Sequence, residues 1–223
     1  MSERPIIFSS PMVKALLDGR KTQTRRIIKP KAWNKAGDVV NINIASAANY
    51  TKGADGRMYF AFVHPRGGPL TAYVSPYAVG DRLWVREAWR VRSGKYDRMK
   101  PSDLPQNATV HYEANPRGEG EDLGKLRPSI HLPRHASRIT LEVVQVRVQR
   151  LQEISHMDAK AEGVAQWVSD YFEPQTPPSE LLVDFHCGTT INAFRRLWET
   201  LHGPDAWEAN PWVVAVTFKR VMP

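Results

Sequence analysis

The stretch from Arg138 to Leu151 constrains this chain more than any other, because it carries apolar side chains in two opposed strand phases. Ile139, Leu141 and Val143 lie in one phase, and Val144, Val146 and Val148 in the other. Strand side chains alternate with period two, so one face holds both sets only if a residue is inserted. The change of phase therefore predicts a bulge or bend near Val143. A long strand bent in this way belongs to a strongly curved sheet, as in small barrels. A second extended run near the end, Trp212 to Val221, alternates Trp212, Val214, Val216 and Phe218 toward a core and reads as a closing strand.

The remaining elements are short and mixed. Pro5 to Phe8 reads as a strand. Ser10 and Pro11 then supply a cap and first-turn proline for a helix over about 11–18, whose face is Met12, Val13, Leu16 and Leu17 and which Gly19 ends. Residues 30–79 alternate β-like runs (Val39 to Ile44, Met58 to Val63, Thr71 to Val74) with turn-rich segments and look like hairpins. Gly80-Asp81 opens the run from Arg82 to Trp89, with Leu83, Val85 and Glu87 on one face and Arg82, Trp84 and Arg86 on the other. From about 92 to 135, Pro, Gly, Asn and charge dominate, which predicts an excursion from the core. Ser155 caps a short helix with Asp158 as the acidic partner of a capping box, and Glu162 sits near its end before Gly163. A proline-rich linker, Glu173 to Glu180, leads to a helix centred on Ala193, Phe194, Leu197, Trp198 and Leu201, stopped by Gly203-Pro204. Many strands with a few irregularly placed helices indicate the α+β class.

Charge and composition narrow the chemistry. Lys and Arg number 31 against 23 Asp and Glu, a formal charge of +8 with a pI near 9.7, which favours polyanionic partners. One cysteine, Cys187, leaves no internal disulfide and no multi-thiolate metal site. Apolar runs all fall short of the roughly 18 residues that cross a bilayer, and Met1-Ser-Glu-Arg-Pro lacks a secretory pattern. A monomeric cytoplasmic protein with no membrane contact is expected. No Gly-Lys-Ser/Thr triplet is present, which argues against a phosphate-binding loop. His131 and His135 are separated by Pro133, which spoils the helix needed to bring both imidazoles to one metal. Neither metal nor cofactor is expected.

The segment Gly19-Arg-Lys-Thr-Gln-Thr-Arg-Arg26 packs an amine, two hydroxyls and three guanidiniums behind a helix cap. Its pattern, Gly19-Arg-Lys-Thr-x-Thr-x-Arg26, resembles the signature of the ASCH domain family. Gly80-Asp81-Arg-Leu-Trp-Val is similar to that family's Gly-Asp turn and strand. Ile139 to Ile154 is similar to its long strand and following helix, and Pro211 to Val221 to its terminal strand. The segments Trp84-Val-Arg-Glu-Ala-Trp89 and Pro128-Ser-Ile-His-x-Pro-Arg134 resemble ASCH-containing proteins of phages and prophages. The resemblance implies an α+β fold built on a small PUA-like β-barrel with flanking short helices. The chain would be one domain, 1–223, with loop insertions at about 30–79, 90–137 and 164–190.

The resemblance also implies a chemistry. Family members include an amidohydrolase that removes the acetyl group of N4-acetylcytidine with a Lys, a Thr and a Glu. Lys21 and Thr24 fall on the first two positions and Glu162 on the third. A lysine desolvated among Arg20, Arg25 and Arg26 has its charged form disfavoured, so its amine could take the Thr24 proton while Glu162 serves the leaving amino group. Other members bind or cut RNA, so two alternatives stand beside the hydrolase: a non-catalytic RNA- or DNA-binding module, and an RNA-cleaving enzyme using His131 and His135. The expected partner is a modified nucleoside or single-stranded nucleic acid. Arg20, Arg25 and Arg26 are candidate binding residues. Trp84 and Trp89 beside Arg86 form an aromatic-plus-guanidinium pattern suited to stacking bases, with a surface role expected for one of the two. Glu87 is a rival carboxylate, with a buried ion pair to an arginine as its simpler explanation.

Overall fold

The computed structural model describes residues 2–28, 50–52, 57–62, 71–118, 120–164 and 187–221. The Val39 to Ile44 run, the Glu173 to Glu180 linker and most of the expected insertion at 164–190 lie outside these residues. The chain is mixed α+β, mostly sheet with few helices. Its strands in chain order are β1 (Glu3–Ile7), β2 (Gln23–Ile27), β3 (Tyr50–Lys52), β4 (Arg57–Phe62), β5 (Thr71–Ala78), β6 (Arg82–Arg86), β7 (Trp89–Val91), β8 (Val110–Tyr112), β9 (Thr140–Arg150) and β10 (Trp212–Val221). Among the described residues the α-helices are α1 (Ser10–Leu17), α2 (His156–Ala161) and α3 (Cys187–His202). Among the described residues, no helix is long and apolar enough to cross a membrane.

A five-stranded sheet in the order β1-β6-β9-β10-β2 forms the centre, with β1 parallel to β6 and the other pairs antiparallel. The phase change in β9 has the predicted outcome. Thr217 pairs with Gln145 but Phe218 pairs with Val143, so Val144 is the inserted residue. Val144 is exposed while Leu141 and Val143 are fully buried, which is how a bulge returns the two apolar sets to useful faces. In the described ladders β1 and β2 are the two edges. They approach closely enough for Arg26 Nη2 to donate to the Ile7 carbonyl at 2.8 Å. The main core lies between this sheet and the helices and includes Phe8, Val13, Leu16, Leu83, Val143, Phe194, Trp198 and Val216.

Helix α1 begins one residue earlier than its sequence suggests, with Ser9 in the cap position, and Gly19 follows it at φ 72°. β4 and β5 form the hairpin expected in the first insertion. The segment from about 92 to 135 leaves the main core, as its composition predicts. It folds back on the β7–β8 hairpin as a chain of short 3-10 turns around a second apolar cluster of Trp89, Val91, Leu104, Leu132 and Ala136. Composition did not reveal this second cluster because so few large apolar residues suffice when arginine supplies the rest. Arg127 lies 5.1 Å above the Trp89 ring and donates to the Met99 and Tyr96 carbonyls.

Candidate active site

Lys21 sits in the tight connection between α1 and β2. Its backbone amide and that of Arg20 both donate to the Ala15 carbonyl. One residue on, Thr22 N donates to Ala161 O at the end of α2, and Thr22 O accepts from Phe218 N on β10. Three elements thus hold this short link, which explains how a lysine can be buried to 4 % exposure. Glu162 closes α2 as its C-cap residue and is 3 % exposed. Gly163 follows at φ 81°, and a Cβ there would lie 3.1 Å from the Cβ atoms of both Ala15 and Lys21. Only a glycine lets the end of α2 come this close to Lys21 without a shift.

The carboxylate of Glu162 is divided between two cations. Lys21 Nζ donates to Glu162 Oε2 at 3.0 Å and to the Glu162 carbonyl at 2.9 Å. Arg25 Nη1 donates to Glu162 Oε1 at 3.0 Å. Arg25 is itself clamped, because Nη2 donates to Asp158 Oδ2 at 3.1 Å and Nη1 also donates to Gln23 Oε1. Asp158 Oδ1 further accepts from Gln23 Nε2 at 3.2 Å and Arg147 Nη2 at 2.7 Å. Burial pushes the Asp158 carboxyl up, but Arg147, Arg25 and Gln23 together hold it below its usual range. Burial draws the Lys21 ammonium down. The Glu162 carboxylate opposes that pull, the guanidiniums of Arg26 and Arg25 add to it, and the net direction is downward.

These groups open on a cavity of roughly 310 Å³, whose lining includes Lys21, Thr24, Arg25, Arg26, Ser129 and Glu162. Its apolar lining includes Phe8 and, from α3, Phe194, Leu197 and Trp198. Lys21 and Arg26 lie 5.5 and 5.4 Å from the Phe8 ring centre, and Arg25 5.7 Å from that of Phe194. Thr24, on β2 opposite Val216, is 4 % exposed. Its hydroxyl has no hydrogen-bond partner among the described residues. A hydroxyl, an amine and a carboxylate are thus present in one small, partly apolar chamber. That combination suits acyl transfer from an uncharged ligand better than capture of a free anion, because Lys21 and Arg25 already face carboxylates.

The structure brings together five of the residues singled out from sequence, Lys21, Thr24, Arg25, Arg26 and Glu162, and separates the others. Arg20 turns away to pair with Asp18 at 2.7 Å. Glu87 is 1 % exposed and is held by two bonds of 2.9 Å from Arg138, the buried ion pair that was its simpler explanation. Neither tryptophan has the surface role expected for one of them: Trp84 is 8 % exposed and Trp89 fully buried. Arg86 and Arg134 cover Trp84 at 4.5 and 5.8 Å. An arginine beside a tryptophan in sequence equally describes a base-stacking platform and a guanidinium lid over a buried ring, and here it is the lid. His131 and His135 occupy successive 3-10 turns and are exposed. The described residues contain no cluster of His, Cys, Asp or Glu fit to hold a metal.

Sequence reasoning missed Gln23, Arg147 and the true partners of Asp158. Ser155 Oγ does accept from Asp158 N at 3.1 Å, yet the Asp158 side chain serves Arg25 rather than a capping box. A usable signal existed. Asp158 and Glu162 are four apart and so share one face of a helix, and Gln23 and Arg25 share one face of a strand. No family model, curated protein or solved structure matches this chain.

Proposed function

We propose that this chain hydrolyses the amide of an N-acylated nucleobase, with N4-acetylcytidine as the representative substrate, in the cavity beside Lys21, and that its curled sheet is a PUA-like barrel of the ASCH type. The observation that carries the proposal is the contact of Lys21 Nζ with Glu162 Oε2 at 3.0 Å, buried in a cavity that Thr24 also lines. Arg26 bridging the two edge strands supports the barrel.

In the proposed cycle, the planar acylated base lies between Phe8 and the aromatic face of α3. The neutral form of the Lys21 amine, which burial favours over the ammonium, takes the proton of the Thr24 hydroxyl as Thr24 Oγ bonds to the acyl carbon. The proton passes from Lys21 to Glu162 and on to the departing amino nitrogen as the carbon–nitrogen bond breaks. Water then attacks the Thr24 ester, gives its proton to the same pair, and Thr24 recovers its hydrogen as the carboxylic acid leaves. Arg25 keeps the Glu162 carboxylate turned toward Lys21 throughout. A module that grips phosphate with the same cluster fits less well, since Lys21, Arg25 and Arg20 all face carboxylates.

The test is incubation with N4-acetylcytidine and chromatography for cytidine. Turnover should rise with pH along a limb lying below the ordinary lysine value of 10.5. Lys21→Arg should be inactive because a guanidinium stays protonated. Glu162→Gln should lose about 10²- to 10⁴-fold in rate, and Thr24→Val at least as much. No turnover by the parent protein would remove the hydrolase, and a fully active Thr24→Val would remove the nucleophile.

A further inference from the structure

Arg26 differs from its neighbours. Lys21, Arg25 and Arg20 all meet carboxylates, whereas Arg26 pairs with no carboxylate among the described residues. One of its five N–H groups is taken by the Ile7 carbonyl, and its guanidinium lies over the Phe8 ring. These two contacts fix its position and leave other donors available. Arg26 lines the cavity, as does Ser129, whose hydroxyl has no hydrogen-bond partner among the described residues. Ser129 reaches the cavity from the 3-10 turn Ser129–His131, so the segment from 92 to 137 contributes to the wall. The deeper part of the chamber holds the paired charges, and Arg26 is the partly exposed cation.

We propose that Arg26 and Ser129 form a phosphate subsite, so that the natural ligand is a nucleotide rather than a bare nucleoside. This rests on the reading above, in which a pyrimidine base enters the cavity. A guanidinium with free donors and a hydroxyl lining the same cavity supply the donor types that recognise phosphate oxygens. The same chemistry serves a nucleoside monophosphate and a phosphodiester within a strand.

Calorimetric titration at low salt with cytidine, cytidine 5′-monophosphate and the trinucleotide ApCpA tests the subsite and separates these sources. One or both phosphate-bearing ligands should bind about tenfold or more tightly than cytidine, the scale of one charge-assisted hydrogen-bonded contact. A gain for the monophosphate alone assigns a free nucleotide, and a gain for the trinucleotide assigns a strand. In Arg26→Gln, which removes the charge, that advantage should fall to near unity. Raising salt should narrow it in the parent protein, a measurement that stands even if the variant fails to fold. If cytidine binds and phosphate adds nothing, or if the advantage survives in folded Arg26→Gln or is insensitive to salt, the subsite is overturned alone. If none of the three binds, the nucleobase reading falls with it.

Discussion

Glu162 has one carboxylate for two buried cations, and this makes the network asymmetric. Removing Lys21 leaves Glu162 still paired with Arg25. Removing the Glu162 charge leaves Lys21 with no carboxylate, only the Glu162 backbone carbonyl, and leaves Arg25 with Asp158 as its one remaining carboxylate beside the Gln23 amide oxygen. Breaking a buried pair so that a charge is left uncompensated costs about 3–5 kcal/mol. Glu162→Gln should therefore destabilise by about that much, and Lys21→Met, which removes a charge and fills the space, by less than about 2 kcal/mol. Urea unfolding of both variants checks the order, and a larger loss in Lys21→Met would contradict this division of charge. At this scale, legibility followed chemistry that is local in sequence. Lys21 and Thr24 stood out because their functional groups are crowded into one segment. Asp158 was misassigned because a capping rule looks three residues away, while its partners Arg25 and Arg147 arrive from two different strands.

Two glycines with similar backbones separate strain from crowding at the level of elements. Gly19 and Gly163 both have positive φ, 72° and 81°. A Cβ at Gly19 would meet nothing within 4 Å, whereas one at Gly163 would press on Ala15 and Lys21. Gly19→Ala should cost only the left-handed backbone term, about 1–2 kcal/mol. Gly163→Ala should cost more, and it alone should disturb the titration of Lys21 followed by NMR of the labelled lysine side chain. Equal costs with an unmoved Lys21 would mean that α2 yields freely. Elements themselves were readable where a periodic pattern broke in a way only one geometry resolves. The two apolar phases of β9 demanded a bulge, and Val144 provides it. The turn-rich chain after β7 had no comparable pattern, since its order comes from Arg127 reaching distant backbone carbonyls.

At the scale of the molecule, the described residues form two apolar clusters, and the segment that builds the smaller also brings Ser129 to the cavity. Leu132 is fully buried in that smaller cluster. Leu132→Ala should cost about 2–5 kcal/mol, confined to the part around Trp89. Limited proteolysis followed by mass analysis should then show cleavage between 92 and 127 accelerating about tenfold or more, with the central sheet still intact. First cuts within 140–150 or 212–221 would show that the two clusters unfold as one. The mixed class was evident from the sequence, but this second centre was not, because its fully buried apolar residues are dispersed between Trp89 and Leu132. A last consequence concerns the sheet margins. An unpaired strand edge is a template on which a second chain can add a strand. Here the Ile7 carbonyl on β1 is already occupied by a guanidinium from β2, so that acceptor is closed to an approaching backbone. The side chain that borders the chamber thereby also removes one acceptor from the row on which a second chain could add a strand.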